Sequence, residues 1–170
     1  MNETRVSTEP LLKTPLNGWH CANGGRMVDF GGWDMPVNYT PGILAEHLAT
    51  RKGAGLFDIS HMGRFRVSGA DALPFLQHTL TNDASTLTPG FAQYTIIPDE
   101  AGSAVDDAYL YQKGESDYLL VVNASNAKKD YVQLSQHLEQ YPKTELTDIT
   151  TGLFMASLQG PQSPAILEAM

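Results

Sequence analysis

Residues 102–126, with the sequence GSAVDDAYLYQKGESDYLLVVNASN, predict a β-hairpin, and the fold of the chain is decided by this segment. Residues 104–111 are apolar and aromatic, and residues 117–123 are rich in Leu and Val, as is typical of strands. The polar residues 112–116 between them include a glycine and form the connection. We therefore expect an antiparallel pair of strands, around which the rest of the chain is arranged.

Two adjacent aspartates, Asp106 and Asp107, lie in the first of these strands, where carboxylates are normally disfavoured. Neighbouring strand residues point to opposite faces, so the two side chains cannot act as a proton-sharing pair. The face that carries Asp106 holds small and apolar residues, namely Ala104, Ala108 and Leu110. The face that carries Asp107 holds Val105, Tyr109 and Tyr111. We expect room for a ligand beside Asp106 and, because its neighbours are apolar, a raised pKa for its carboxyl group.

The composition excludes several classes of protein. A net charge of −8 over 170 residues and a pI near 4.9 argue against nucleic-acid binding. No apolar run approaches the roughly 18 to 20 residues of a membrane span. The single cysteine, Cys21, excludes an internal disulfide, and His61 has no histidine at ligand spacing, so no metal site is predicted. A reduced, cytoplasmic protein fits this composition, or a mitochondrial one in a eukaryote, although no clear transit peptide is present.

Apolar spacing around the hairpin predicts an α+β fold. Helices are predicted over residues 14–20, 42–52, 72–80 and 126–140, and a short last helix begins with Ser163 and Pro164. Strands are predicted over residues 26–30, 62–67, 91–97, 144–150 and 153–158, in addition to the hairpin. Residues 31–39 (GGWDMPVNY) predict a loop punctuated by glycine and proline.

The order of these elements predicts two domains. Residues 61–150 form an α+β unit of the split β-α-β kind, with an antiparallel or mixed sheet and the hairpin at its centre. Residues 14–60 and 151–170 belong together to a second, discontinuous domain, and residues 1–13 form a disordered leader. The last helix has little more than one turn, so we expect the chain to be the N-terminal part of a longer protein.

Four stretches together resemble the T-protein of the glycine cleavage system, the tetrahydrofolate-dependent aminomethyltransferase. They are residues 27–36 (MVDFGGWDMP), 55–62 (GLFDISHM), 105–107 (VDD) and 120–126 (LVVNASN). They occur in the order of the family, although the family favours Gly-Gly before Val-Asp-Asp where this chain has Ser103-Ala104. The resemblance begins at Thr14 and covers about the first half of a typical member.

The resemblance implies a truncated folate-binding aminomethyltransferase fold and a defined reaction. The lipoyl arm of the H-protein carries an aminomethyl group, whose carbon is transferred to tetrahydrofolate with release of ammonia and the dihydrolipoyl carrier. Asp106 matches the essential carboxylate of the family. Tyr94 and Asn123 match residues that line the folate site, and Met62 and Val122 add apolar walls. Further folate contacts lie in the later sequence of the family, so we expect weak or no folate binding by this chain alone.

The residues alone leave alternatives open at each position. Asp106 is either this catalytic carboxylate or a structural one satisfied by backbone N–H groups, and for Asp107 the structural role is favoured. Tyr94 has the spacing of a core residue, and Asn123 precedes a helix that it can cap. Two other functions compete: the folate lobe of a dimethylglycine- or sarcosine-type dehydrogenase, and a non-catalytic folate-binding scaffold. No G-x-G-x-x-G fingerprint supports the first, and the Asp106-Asp107 pair argues against the second.

Overall fold

The computed structural model describes residues 10–170. Nine strands occur in this part of the chain: β1 Met27–Phe30, β2 Trp33–Pro36, β3 Gly55–Asp58, β4 Gly63–Ser68, β5 Ala92–Pro98, β6 Ala104–Gly114, β7 Asp117–Val122, β8 Glu145–Asp148 and β9 Ala156–Gln159. The α-helices there are α1 Asn17–Ala22, α2 Ile43–Lys52, α3 Ala72–Thr79, α4 Ala127–Ser135 and α5 Ser163–Glu168. Short 3-10 turns cover Ala84–Thr86, Leu138–Gln140 and Thr150–Gly152.

The chain divides into two compact units. We call Ser60–Leu153 the central unit, and we call the residues up to Ile59 together with Phe154–Met170 the flanking unit. The leader was predicted over residues 1–13, and residues 1–9 lie outside the described part of the chain. The last part of the leader is paired, because Leu12 forms a parallel bridge with Trp33.

The central unit is built on a five-stranded sheet with the strand order β5-β6-β7-β4-β8. Every neighbouring pair is antiparallel, which confirms the predicted α+β fold with an antiparallel sheet. The predicted hairpin is β6 and β7, with a register irregularity between Gln112 and Gly114 just before the turn. Alternate residues of β6 are buried, as expected for a strand with one face on the core.

The core of the central unit lies between the sheet and its helices. Helix α3 contributes Phe75 and Leu76, and helix α4 contributes Leu134, all of them fully buried. The strands contribute alternating apolar residues, which are Phe65, Val67, Ile97, Ala108, Leu110, Tyr118, Leu120 and Val122. The opposite face of β5 and β6 exposes tyrosines instead. Helix α4 ends at Ser135 rather than continuing to residue 140, where the chain tightens into a 3-10 turn.

The flanking unit contains two small antiparallel sheets, β1-β2 and β3-β9. Strand β9 follows the central unit in sequence and returns to pair with β3 in the register Gly55↔Gln159 to Asp58↔Ala156. The stretch predicted as a loop, residues 31–39, instead contains β2. Gly31 and Gly32 have φ values of 61° and 87°, so they form the tight turn that folds β2 back on β1.

Candidate acid–amide site on the central hairpin

The two faces of β6 give Asp106 and Asp107 opposite surroundings. Asp106 is 8% exposed and lies on the core face with Ala108 and Leu110, whereas Asp107 is exposed on the other face with Tyr109. The predicted separation of the two carboxylates is therefore present. We expected open space beside Asp106. Hydrogen-bond donors surround its carboxylate instead.

Those donors come from the end of β7 and the start of α4. Asn123 gives Asp106 two hydrogen bonds, from its backbone N at 3.2 Å and its Nδ2 at 3.0 Å. Asn126 Nδ2 donates a third at 2.8 Å. Asp130 lies one helical turn further along α4, and its carboxyl group also interacts with that of Asp106. Asp106 is thus a tethered group at a corner of the central unit and lines neither cavity described below.

Hydrogen bonding explains the ionisation of Asp106. Burial pushes the pKa of Asp106 upward, but the hydrogen bonds from Asn123 and Asn126, together with the interaction with Asp130, outweigh it, and the pKa is lowered below its usual value. This corrects the expectation that apolar neighbours raise it. The neighbours in the strand are apolar as predicted, but the groups that decide the pKa come from α4 and the β7 terminus, which lie far away in the sequence.

Asp130 shows the opposite behaviour. It is fully buried, and burial, followed by its interaction with the Asp106 carboxylate, raises the pKa of Asp130 to about 8. No group among the described residues donates a hydrogen bond to either carboxyl oxygen of Asp130. Because Asp106 is itself surrounded by N–H donors, a hydrogen bond between the two carboxyl groups requires Asp130 to be the donor. Sequence reasoning missed this residue, although its spacing of four from both Asn126 and the buried Leu134 places it on the inner face of α4.

A close approach of α4 to the sheet brings these groups together. A Cβ atom on Gly63 would stand 2.5 Å from Val122 Cγ2 and 2.8 Å from Ala127 Cβ, which is closer than side-chain carbons can lie. The absence of a side chain at this position lets the first turn of α4 pack directly against β4 and β7. Asn126 and Asp130 consequently reach the buried side of β6.

The exposed face carries an aromatic row beside Asp107. Tyr94 on β5 pairs with Tyr109 on β6 in the strand register, and their rings meet edge to face at 5.5 Å. Tyr111 extends the row at 6.3 Å from Tyr109. Asp107 lies on the same face as Tyr94, and its interaction with the Tyr94 hydroxyl, followed by desolvation, raises the pKa of Tyr94. We call Tyr94, Asp107, Tyr109 and Tyr111 the tyrosine face.

Asn123 connects the tyrosine face with Asp106. Its Nδ2 lies 3.0 Å from Asp106 Oδ1 and 3.1 Å from Asp107 Oδ1, so the two amide hydrogens serve the two carboxylates. A hydrogen-bonded series therefore runs from Asp106 through Asn123 to Asp107. The fixed amide holds Asp107 in place without covering it.

The other residues predicted for the site, Tyr94, Val122 and Met62, do not form a common cluster with Asp106. Tyr94 is 50% exposed, and strand alternation puts it on the face opposite Asp106. Val122 is fully buried in the core and presents no surface to a ligand, whereas Val121, its neighbour in β7, pairs with Tyr109 and belongs to the tyrosine-bearing side of the sheet. Met62 is half-buried, and its carbonyl accepts a hydrogen bond from Arg64 Nη1 at 2.8 Å.

Each unit also has a cavity. One of about 360 Å³ in the central unit is lined by polar groups that include His78, His137 and Gln133. One of about 520 Å³ in the flanking unit is mainly apolar and is walled in part by Trp19, His20 and Phe57. Within the described residues no group of side chains is arranged to hold a metal ion, and none of the helices has the length and hydropathy to cross a membrane.

Comparison with solved structures places this fold in a known class. The crystal structure of glycine cleavage system aminomethyltransferase T from Bartonella henselae superimposes with a TM-score of 0.87 at 37% identity. The match covers 94% of this chain and 43% of that one. The class is thus the α+β fold of the glycine cleavage T-proteins.

The family follows from the sequence match over residues 16–170: this chain belongs to the family of the GCVT N-terminal domain. Relatives named aminomethyltransferase come from Deinococcus deserti (47% identical), Chlorobaculum tepidum (50%) and Thermus thermophilus (48%). These matches cover 97%, 92% and 94% of this chain but 46%, 43% and 45% of the relatives. The chain therefore spans less than half the length of the relatives that it matches.

Proposed function

We propose that this chain serves in transferring the one-carbon unit of an aminomethyl group from the lipoyl arm of the H-protein to tetrahydrofolate. The products are 5,10-methylenetetrahydrofolate, ammonia and the dihydrolipoyl carrier. The chain is, in this proposal, the N-terminal fragment of a cytoplasmic aminomethyltransferase whose remaining residues complete the folate site. The observation that supports it is the exposed carboxylate of Asp107, held by Asn123 at the edge of an aromatic surface formed by Tyr94 and Tyr109.

The surface suits a folate in its chemistry. Tyr94 and Tyr109 present half-exposed rings against which a flat heteroaromatic ring can pack. The fixed Asp107 carboxylate can accept a hydrogen bond from a ring or bridging N–H of the ligand. The tyrosine face thus combines the apolar contact area and the single oriented acceptor that binding of a reduced pterin requires.

The transfer itself needs a carboxylate near the migrating carbon. Loss of ammonia from the thiol-bound aminomethyl group leaves an iminium-like carbon, which a folate nitrogen captures. An oriented carboxylate stabilises that positive charge, a type of interaction that contributes about 2.7 to 4 kcal/mol. It can also accept the proton of the attacking amine, which contributes about 10²- to 10⁴-fold in rate.

The sequence predicts Asp106 for this task, whereas the geometry favours Asp107. Asp106 is buried and its carboxylate accepts three hydrogen bonds, so it has little capacity left for a ligand. Asp107 is exposed on the same face as Tyr94. Asp106 then acts through Asn123, whose amide it orients toward Asp107.

Paired substitutions in the full-length protein separate these two assignments. Asp107→Asn removes the charge next to the ligand, and we expect turnover to fall by about 10² or more. Asp106→Asn weakens the hold on Asn123, and we expect a fall of roughly tenfold, in line with the loss of one positioning interaction. Asp117→Asn is the matched control, because Asp117 is a strand aspartate of the same sheet that pairs with Arg66 instead.

Three results are decisive. A larger loss for Asp107→Asn supports the assignment by geometry, and a larger loss for Asp106→Asn returns the catalytic role to the residue predicted from the sequence. If both variants keep near-normal turnover with lipoyl-bound substrate and tetrahydrofolate, the aspartate pair has no part in the reaction and the proposed site is refuted.

A further inference from the structure

The buried carboxyl group of Asp130 is not needed by anything described so far. It stands on the inner face of α4 with no exposed surface, next to the anionic Asp106. A second negative charge buried beside Asp106 would be strongly unfavourable. A carboxyl group in such a place must either be neutral or force its neighbour to be neutral.

The donors around the pair decide which of the two carboxyl groups is neutral. Asp106 accepts three N–H hydrogen bonds, from Asn123 N, Asn123 Nδ2 and Asn126 Nδ2. Asp130 accepts none from the described residues. Hydrogen bonds from N–H groups stabilise the ionised form of a carboxyl group, so the charge belongs on Asp106 and the proton on Asp130.

The other charged groups nearby do not reverse this arrangement. Lys129 precedes Asp130 on α4, but its Nζ donates to the carbonyl of Val105 at 2.8 Å, and its positive charge only partly offsets the other effects on Asp130. Asp107 on β6 adds negative charge and so favours a neutral Asp130. Asp106 acts in the same direction and more strongly.

We propose that Asp130 is a positioning residue: a buried carboxylic acid that keeps its proton and donates it in a hydrogen bond to the Asp106 carboxylate. This bond holds Asp106 as an oriented anion, which in turn fixes the Asn123 amide against Asp107. The proton on Asp130 is a property of the fold, while its value to catalysis rests on the proposed function of the tyrosine face.

The proton can be tested in this chain without any assay of activity. Between about pH 4, the titration range of a free aspartate, and about pH 8, folded Asp130 carries a proton that unfolded Asp130 has lost. Rising pH therefore favours unfolding over this range. Asp130→Asn keeps a donor toward Asp106 but cannot titrate, so the unfolding constant of the wild type should rise relative to that of the variant by up to tenfold per pH unit.

Urea unfolding at several pH values measures this ratio. Glu139→Gln is the matched control, because Glu139 is an exposed carboxylate in the 3-10 turn that follows α4. The lowered pKa of Asp106 acts below about pH 4 and lies outside the window. A pH-independent ratio for Asp130→Asn would overturn the proposal.

Infrared spectroscopy provides a second test that needs no stable variant. The wild-type chain in D₂O near neutral pD should show the C=O stretch of a protonated carboxyl group, and the band should disappear as the pD passes about 8. Complete ionisation of all carboxyl groups at neutral pD would refute a protonated Asp130.

Turnover of the full-length protein then tests the positioning role. We expect the wild type to lose activity with a midpoint near pH 8, as Asp130 and Asp106 become two adjacent anions. Asp130→Asn should keep most of the activity at pH 7 and lose this alkaline decline, whereas Asp130→Leu should fall roughly tenfold because the donor is gone. An unchanged alkaline decline in Asp130→Asn contradicts the role. The stability and infrared results stand independently if the proposed reaction is itself refuted.

Discussion

The central and flanking units stabilise themselves in different ways. The central unit buries a continuous apolar cluster in which Phe65, Leu110 and Leu120 have no exposed surface. Among the described residues of the flanking unit, Trp33 and Met35 are the only large apolar side chains that are buried, together with the polar Thr14, Asn17 and His20. It leaves many apolar side chains exposed, including Leu12, Trp19, Ile43, Leu44, Leu56 and Phe154.

The difference shows why the candidate site lies where it does. A site that depends on a chain of hydrogen bonds needs supporting residues that cannot move, and a densely packed core restricts such movement. Strand β6 carries Asp106, helix α4 carries Asp130, and β7 ends directly before Asn123. All three elements contribute to the apolar cluster of the central unit. In the flanking unit, polar contacts provide a larger share of the cohesion.

The largest expected effect comes from opening the core of the central unit. Phe65→Ala should lower the free energy of unfolding of that unit by about 3 to 5 kcal/mol, because it leaves a cavity among fully buried neighbours. Leu44→Ala in the flanking unit should change stability by less than about 0.5 kcal/mol, since Leu44 is 71% exposed. Amide hydrogen exchange in β6 reports the stability of the central unit, and exchange in α2 reports that of the flanking unit. Equal losses would show that the two units do not differ in this respect.

Two arginines of β4 sharpen the comparison between buried and exposed polar contacts. Arg64 is buried and donates to the carbonyls of Ser60, Met62, Thr150 and Leu153. Arg64→Leu should cost about 3 kcal/mol, because those buried carbonyls lose charged donors. Arg66→Leu should have little effect, since its pair with Asp117 is exposed. Equal urea midpoints for unfolding of the central unit in the two variants would contradict this prediction.

A smaller effect is expected from the polar contacts of the flanking unit. His20 is buried and hydrogen-bonds Tyr39 Oη at 2.6 Å and Asp58 Oδ2 at 3.0 Å. His20→Phe should cost about 2 kcal/mol through loss of both bonds. Both tryptophans of the chain, Trp19 and Trp33, lie in this unit, so tryptophan fluorescence follows its unfolding selectively. Cys21→Ser, at an exposed neighbour, is the control and should leave the fluorescence midpoint unchanged.

The same comparison explains what could be predicted from the sequence. The fold class follows from β6 and β7, whose alternation and connection are local features of residues 104–122. The stripe of Ile43, Leu44 and Leu48 predicts a helix correctly, yet none of these residues is buried, because periodicity reports which residues share a face and not what covers it.

The site was predictable only in part for a related reason. Alternation separates Asp106 from Asp107 and puts Tyr94 in register with Tyr109. It does not show that Asn126 and Asp130 reach Asp106 from α4, which follows the hairpin and returns to the sheet. The direction of the Asp106 pKa depends on those distant donors, so an expectation based on strand neighbours alone has the opposite sign.

The central claim is that the tyrosine face, with Asp107 and not Asp106 at its edge, contacts tetrahydrofolate. Titration of the isotopically labelled full-length protein with tetrahydrofolate, followed by NMR, tests it most directly. The account predicts that the resonances of Tyr94, Tyr109 and the Asp107 carboxyl shift, while the carboxyl resonance of Asp130 changes little. Saturable binding that leaves the tyrosine face unperturbed would contradict the account.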